Sequence, residues 1–281
     1  MDHPGKGKVE EYLVKASPQD TEIIEQELLL REWFTRDCDP VQKIIDGLDI
    51  GWGGTQRWAT GRLRLNARGK HLDFACGYAT FLAQLGWRFP ALRLVGFNID
   101  FTGPHALAKP LLDQSGVRAW LLQADARRMP FADRTFDSAS CFLGLQDIEI
   151  GFGETGVCET IAEAVRVLRP GGVLLLLDEF RFERFDELLK SLPLTLIERG
   201  EHHLDIKWDR DVATVAIRLY AEGWVAQMRL PEEDVAAREA AYSKVQERMA
   251  AEVEEQIAEQ GYYVPFGPVR MIICRKEKNL L

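Results

Sequence analysis

Between residues 70 and 180, short apolar runs recur at regular intervals, each followed by apolar positions spaced three or four apart. The runs are His71–Ala75, Leu92–Phe97, Ala119–Gln123, Ser138–Phe142 and Gly172–Leu177, with helical spacing near 79–87, 103–114 and 156–168. Strand-length runs alternating with helices predict βαβ units, hence a mostly parallel sheet covered on both faces. Upstream, a helix is predicted from Asp20 through about Phe34, capped by Asp20 or Thr21, with Ile24, Leu28 and Trp33 on one face. Asp39-Pro40 reads as a cap followed by proline at the first helical position, opening a short helix with Val41, Ile44, Ile45 and Leu48 inward. Gly51-Trp52-Gly53-Gly54 interrupts it, and another short helix carries Trp58 and Leu63. After Asp178 the rhythm loosens: a helix near 182–191, a strand around Leu194–Glu198, helices near 210–227 and 232–260, and a last strand at Val269–Cys274. The second of those helices places Tyr242, Val245, Met249, Val253 and Ile257 at helical spacing. No internal repeat or low-complexity segment is visible, and the first seven residues are expected to be disordered.

Composition narrows the class without naming it. The 281 residues are 46% hydrophobic and 28% charged, an ordinary globular profile with room for one domain and a cap. With 35 Lys and Arg against 44 Asp and Glu, the net charge of −9 works against a nucleic-acid partner, which needs a basic footprint. The five cysteines (Cys38, Cys76, Cys141, Cys158, Cys274) are scattered, predicting neither a metal site nor a disulfide framework, and isolated thiols fit a reducing cytoplasm. The polar start lacks the apolar core of a signal peptide, and the longest strongly apolar run, Val173–Leu177, is far too short to cross a bilayer. The expectation is therefore a cytoplasmic protein with a small-molecule partner and neither membrane nor nucleic acid. Nothing in the sequence bears on oligomeric state.

The chemistry concentrates at strand ends. H-L-D-F-A-C-G-Y-A-T (71–80) is a strand-to-helix junction where small residues let the backbone approach a ligand and the helix offers unpaired N–H groups. A dinucleotide fingerprint would need glycine at 75, 77 and 80, and the chain has Ala75, Gly77 and Thr80. Small residues at 75, 77 and 79 suit a different nucleoside cofactor. Three further signals follow in order. L-V-G-F-N-I-D (94–100) puts Asn98 and Ile99 at the second strand tip, 25 residues past Asp73, where ribose hydroxyls would meet a polar side chain. A-D-A-R-R-M-P-F (124–131) puts Asp125-Ala126 at the third. R-V-L-R-P-G-G-V-L-L-L-L-D-E (166–179) turns from a helix into a buried strand.

Residues 71–179 resemble the class I S-adenosylmethionine-dependent methyltransferases, especially small-molecule enzymes of the quinone-, sterol- and sarcosine-methylating type. The resemblance implies S-adenosylmethionine as cofactor. Its methionine part would be held by Asp73, Ala75, Cys76 and Gly77, its ribose by Asn98 and Ile99, and its adenine by Asp125 and Ala126. Phe142 and Leu143 at the fourth strand tip would face cofactor and substrate, and Trp52 in the G-W-G-G segment would close over the site. The implied fold is a Rossmann-like α/β architecture, a seven-stranded, mostly parallel sheet with N-terminal helices and a helical lid insertion. The expected division is an N-terminal cap (1–67), a cofactor-binding core (68–200), a lid (201–263) and the final core strand (264–281).

Departures from the family pattern fall at informative positions. Ala75 and Ala79 replace glycines. Asn98 stands where an acidic residue is commonest, so a carboxylate there is expected to serve at least as well. Asp100 is expected to cap the following helix. Leu145-Gln146-Asp147 stands where many relatives carry histidine, so no catalytic base is assigned; His202, His203 and Glu179 are the candidates. Five basic residues (Arg57, Arg62, Arg64, Arg68, Lys70) are either a solvated face or an anchor for an anionic ligand. Residues 232–259 carry nine acids against Arg238, Lys244 and Arg248, so the expected lid is acidic outside, with Tyr242, Val245, Met249 and Val253 on an apolar inner face. A cofactor-binding protein without transferase activity, or a methyltransferase of nucleic acid or protein, are the alternatives.

Overall fold

A computed structural model of the chain describes residues 17–37, 48–49, 52–204, 206–228, 230–231, 233–265 and 267–278. Its strands are β1 (Lys70–Phe74), β2 (Arg93–Asn98), β3 (Ala119–Gln123), β4 (Phe136–Phe142), β5 (Leu168–Asp178), β6 (Leu194–His202) and β7 (Val269–Lys276). They form one sheet in the order β3-β2-β1-β4-β5-β7-β6. The first five run parallel, and β7 lies antiparallel between β5 and β6. The order reverses direction between β1 and β4, and in open sheets of this kind ligands bind beyond the carboxyl ends of the strands at that switch point.

The helices are α1 (Pro18–Asp37), α2 (Thr55–Thr60), α3 (Thr80–Arg88), α4 (Ala108–Ser115), α5 (Leu145–Val167), α6 (Phe182–Lys190), α7 (Arg210–Gln227) and α8 (Val235–Gln260). Strands buried on both faces read as near-continuous apolar runs, which is why β5 contains Val173 through Leu177. On one face Leu72, Phe74, Ala139, Leu174 and Leu176 pack with Val157, Ile161 and Val165 of α5 and Phe185 and Leu189 of α6. On the other, Val173, Leu175, Leu177, Met271 and Ile273 pack with Ala59 of α2, Phe81, Leu82 and Leu85 of α3 and Leu112 of α4.

Several element boundaries differ from the sequence expectation for identifiable reasons. Helix α1 starts at Pro18 and is capped by Ser17, whose Oγ accepts from the Asp20 N–H at 3.2 Å and donates to Asp20 Oδ2 at 2.7 Å. Asp20 is thus the hydrogen-bond partner of the capping serine and not the cap. Helix α5 is broken at Gly153 (φ 67°, ψ −172°): its second part matches the helix predicted near 156–168, while its first part, from Leu145, was not predicted and begins where the Asp178 carboxylate, arriving from β5, accepts from the Leu145 and Gln146 N–H groups at 2.9 and 3.1 Å. Residues 103–107 form a 3₁₀ turn ahead of α4. The short helix expected after Asp39-Pro40, the disordered start and Gly51 lie outside the described residues.

The N-terminal cap docks through charge as well as apolar packing. Arg57 on α2, 9% exposed, lies 2.9 Å from Asp49 Oδ2 and 3.5 Å from Glu27 Oε2, and both carboxylates are fully buried. Gln84 on α3 donates to the same Glu27 oxygen at 3.2 Å, and Gln56 donates to Thr80 Oγ1 at 3.3 Å. The cap is thereby fastened to the helix that opens at the 75–79 loop. Arg57 is one of the five basic residues of 57–70; Arg62 pairs with Glu198 at 3.1 Å, and Arg64 donates to the carbonyls of Gly61 and Leu63.

Helices α7 and α8 form a hairpin between β6 and β7. Its base is clasped by paired backbone hydrogen bonds between Trp208 and Tyr263, 2.8 Å in each direction. Val253, with Met249 and Ile257, packs on Ala213 and Ile217 of α7. That corrects the sequence expectation for Met249 and Val253: much of the apolar stripe of α8 is consumed by the partner helix, since a second amphipathic helix offers the nearest surface that excludes water.

Replacing Arg57 by Met would leave Glu27 and Asp49 as buried carboxylates stripped of their counter-charge. Loss of one partner of a buried ion pair costs about 3–5 kcal/mol, and urea unfolding of Arg57→Met should show a loss of that size. The double change that also neutralises Glu27 and Asp49 as amides should recover part of it.

Candidate active site

Three of the four residues 75, 77, 79 and 143 that shape the site are not glycine, yet all four have left-handed backbone: φ is 52° at Ala75, 50° at Gly77, 64° at Ala79 and 54° at Leu143. Alternating handedness turns the chain sharply away from β1, and α3 starts immediately afterwards with Ala79 as its cap. A methyl group added at Gly77 would meet nothing within 4 Å, so this backbone faces open space as a ligand cradle would. Gly144 is the opposite case. A Cβ there would stand 2.7 Å from that of Ala75 and 2.9 Å from Cys141 Sγ, so the β4 turn and the cofactor loop touch only because residue 144 has no side chain.

Backbone hydrogen bonds tie the strand tips into one surface. Cys76 N–H donates to Phe97 O at 3.0 Å, Ala124 N–H to Asn98 O at 2.9 Å, and Leu143 N–H to Leu177 O at 2.8 Å. Asp73, Ala75, Cys76 and Gly77 therefore sit beside Asn98 and Ile99, which adjoin Asp125 and Ala126, with Phe142 and Leu143 on the far side of β1. The structure thus brings these residues together along the carboxyl ends of β1, β2, β3 and β4. Trp52 joins them: its indole packs edge-on against Phe142 (centroids 6.0 Å apart, 84°), and Phe142 stacks on Phe81 at 5.5 Å.

Asp73 is fully buried, and burial pushes its carboxyl up to about 7 although Ser140 hydrogen-bonds to it. Its Oδ1 accepts from Ser140 Oγ at 2.5 Å; its Oδ2 is also buried and has no partner among the described residues. Cys76 and Cys141 are buried thiols whose pKa values burial raises, consistent with packing. Asp125 caps the 3₁₀ turn Ala126–Arg128 and is gripped by Arg127 through Nε (3.1 Å) and Nη2 (2.6 Å). The Arg127 guanidinium in turn lies 3.5 Å over the Phe152 ring. Ala126 packs into the core, so this pair presents chiefly the Asp125 carboxylate and backbone.

Asn98 differs from the expectation that a carboxylate would serve as well. Its Nδ2 donates to the Asp100 carbonyl at 3.0 Å and lies 3.0 Å from His105 Nδ1. An aspartate would set an oxygen against both acceptors. Asp100 itself accepts from Thr102 N–H and Oγ1, each at 3.2 Å, which caps the turn entering the 3₁₀ segment.

The base candidates fall in different surroundings. Glu179 follows β5; burial pushes its carboxyl up to about 7, helped by Asp178 and opposed by Arg270, and its buried Oε1 has no partner. His202 packs against Trp58 at 5.2 Å, and its Nδ1 is 3.0 Å from Thr55 Oγ1. That hydroxyl donates to Trp52 O at 2.6 Å, so it accepts from His202, fixing the Nδ1–H tautomer. His203 is 77% exposed beside Glu201. Asp178, Ser140 and His71 were not singled out from sequence; the only available signal was polar residues inside strands that ought to be wholly apolar.

The strand order and the glycine-poor turn after β1 define a Rossmann-like methyltransferase fold, and residues 72–176 match the family described as a methyltransferase domain. Over 137 residues the chain is 31% identical to a demethylmenaquinone methyltransferase from Deinococcus radiodurans, covering 47% of this chain and 51% of that protein. Against a ubiquinone/menaquinone biosynthesis C-methyltransferase from Syntrophotalea carbinolica it is 31% identical over 135 residues, 46% of this chain and 53% of the relative. The chain thus spans about half the length of these relatives. Among solved structures, the YcgJ protein from Bacillus subtilis superposes with a TM-score of 0.54 at 14% identity, covering 81% of this chain and 100% of that one. A phosphoethanolamine N-methyltransferase from Haemonchus contortus, solved with S-adenosylhomocysteine, gives 0.52 at 14% identity, covering 89% and 60%. The cyclase SpnF gives 0.52 at 18% identity, covering 79% and 80%. Among the described residues no helix is long and apolar enough to cross a membrane.

Asn98→Asp should loosen the 98–105 turn. Exchanging a buried donor for an acceptor costs about 1–3 kcal/mol, measurable as a lower thermal midpoint at pH 8. The loss should shrink as pH falls and the new carboxyl takes up a proton.

Proposed function

We propose that the protein transfers a methyl group from S-adenosylmethionine to a small, largely apolar acceptor in the cytoplasm. The observation that carries this reading is the partnerless Oδ2 of Asp73, buried at the tip of β1 beside the open backbone of Gly77. A buried carboxylate oxygen without a donor costs free energy, and a cationic ligand group reaching it would supply what the fold omits. Asp73 and residues 75–77 would hold the methionine part, Asn98 and Ile99 the ribose, and Asp125 with Ala126 the adenine. Bound there, the cofactor supplies an electrophilic methyl group on a sulfonium.

The remaining work falls to the protein. Trp52, Phe142 and Leu143 form an apolar wall that excludes water and orients the acceptor in line. Glu179 sits at the next strand tip as the group that takes the acceptor's proton. Desolvation keeps its carboxyl near the neutral range, where a base is most useful. The similarity to quinone-biosynthesis methyltransferases supports a ring-bearing acceptor of that kind, although it covers only half of each relative. The α7–α8 hairpin, whose Glu252 lies near enough to Glu179 to raise its pKa, would cover the acceptor side as a lid.

Calorimetry should show S-adenosylhomocysteine binding and no NAD binding. Asp125→Ala should weaken the former by about 1.5–3 kcal/mol, the worth of a hydrogen bond to a charged group. Absence of binding by the intact protein would overturn the reading. A second measurement addresses the base: with a demethylmenaquinol analogue as acceptor, kcat should rise with pH through about 7 as the Glu179 carboxylate forms. Glu179→Gln should abolish that rise while leaving cofactor affinity within twofold, roughly the spread expected when an uncoupled site is changed.

A further inference from the structure

One polar ladder crosses the apolar face of the sheet that α2 and α3 cover. His71 and Asp73 on β1 stand in register with Ser138 and Ser140 on β4, so all four side chains share that face. Every one is at most 2% exposed. His71 Nδ1 lies 2.8 Å from Ser138 Oγ, His71 Nε2 lies 2.9 Å from Ser140 Oγ, and Ser140 Oγ lies 2.5 Å from Asp73 Oδ1.

Counting donors fixes the direction of the chain. Ser140 has a single hydroxyl proton, and it is committed to Asp73 Oδ1. Its oxygen must then accept from His71, so His71 carries its proton on Nε2. Nδ1 is left as an acceptor, which only the Ser138 hydroxyl can serve. The protons run one way, from Ser138 to His71 to Ser140 to Asp73, and a chain of aligned donors polarises itself toward the carboxylate. Burial holds the imidazole neutral by lowering its pKa to about 3, so the chain ends on Asp73 without adding a charge.

We propose that His71 and Ser140 are positioning residues for cofactor binding, acting through Asp73: the chain anchors Oδ1 to the sheet so that Oδ2 is presented to the ammonium group of the cofactor's methionine part. This rests on the cofactor reading above. An Asp73 without the anchor would rotate or satisfy Oδ2 within the protein, and the preformed acceptor would be lost. The other ionisable groups around Asp73 are the thiols of Cys76 in the loop and Cys141 on β4, both kept neutral by burial, while Gly96 opposite on β2 carries no side chain. Among these groups the Asp73 carboxyl is brought near neutrality, and ligand binding should draw its proton off.

The test compares two ligands by calorimetry between pH 5.5 and 8.5: S-adenosylhomocysteine, which has the amino acid part, and methylthioadenosine, which lacks it. In the unaltered protein, S-adenosylhomocysteine should bind more tightly as pH rises through about 7 and release a proton, while methylthioadenosine should show neither effect. Ser140→Ala and His71→Leu should weaken S-adenosylhomocysteine about tenfold or more, the effect of roughly one lost hydrogen bond, and leave methylthioadenosine unchanged. His71→Gln, which keeps a donor, should recover most of the loss. Equal losses for both ligands, or no loss for either, would overturn the positioning role. Failure of the unaltered protein to bind either ligand would remove the cofactor reading itself. If the variants do not fold, ¹⁵N shifts of His71 in the unaltered protein still decide: the Nε2–H tautomer should persist from pH 5.5 to 8.5, and a titrating or Nδ1–H imidazole would refute the chain.

Discussion

The central constraint of this molecule is a carboxylate placed where carboxylates are least tolerated, in the middle strand of a sheet covered on both faces. Asp73 is buried among aliphatic and aromatic side chains, and its charge is answered from inside by one serine hydroxyl. Desolvating an ionised carboxylate costs several kcal/mol unless donors compensate. The fold meets half of that requirement through Ser140 and leaves the other half open at the strand tip. Everything around the tip is consistent with that opening. The loop after Asp73 turns through left-handed backbone so that no side chain fills the space, and Gly144 lets the β4 turn seal the loop's flank.

Asp178, on β5 and separated from β1 by β4, is satisfied where Asp73 is not. Its two oxygens accept three backbone N–H groups, from Leu145, Gln146 and Glu179. Burial still raises its carboxyl to about 6, but those donors fully occupy it. Two buried carboxylates stand at strand tips of one sheet, with β4 between them; one caps a helix and the other keeps an oxygen without a partner among the described residues. The contrast is between a carboxylate consumed by the fold and one that the fold leaves half satisfied.

The sheet itself was legible in the sequence because its signal is redundant: five apolar runs, regular spacing and turn residues all point the same way, and each strand lies within a few residues of its predicted span. The strand-tip residues were legible for the same reason, since Asp73, Asn98, Asp125 and Phe142 each lie at or within two residues of the end of a run. Boundaries set by long-range contacts were not. Nothing local announces that α5 starts at Leu145, because the capping carboxylate is thirty-three residues away. Ser17 was passed over for Asp20 because both fit a cap, and only geometry shows that they act together. The Asn98 amide looked like a substitute for a carboxylate until its two acceptors were seen, and the α8 stripe looked like a substrate surface until α7 was found against it.

The two sides of the site are closed by different physics, and this bears on which side selects the acceptor. On the N-terminal side, the buried Arg57–Asp49–Glu27 cluster and the Gln56–Thr80 contact lock the cap to α3. Buried charges tolerate little displacement, because a small shift exposes an uncompensated charge to low dielectric. Trp52, held at the end of that rigid unit, is therefore a fixed wall against Phe142. On the opposite side, the α7–α8 hairpin is joined to the core by a two-residue backbone bridge and chiefly packs on itself. Few apolar contacts to the sheet mean a low cost of local opening. On the proposed methyl transfer, an acceptor that enters and leaves at every turnover would be better served by the loosely fastened side than by the wall. Substrate discrimination is accordingly expected to reside where Glu179, Glu252 and Tyr263 face one another beneath the hairpin.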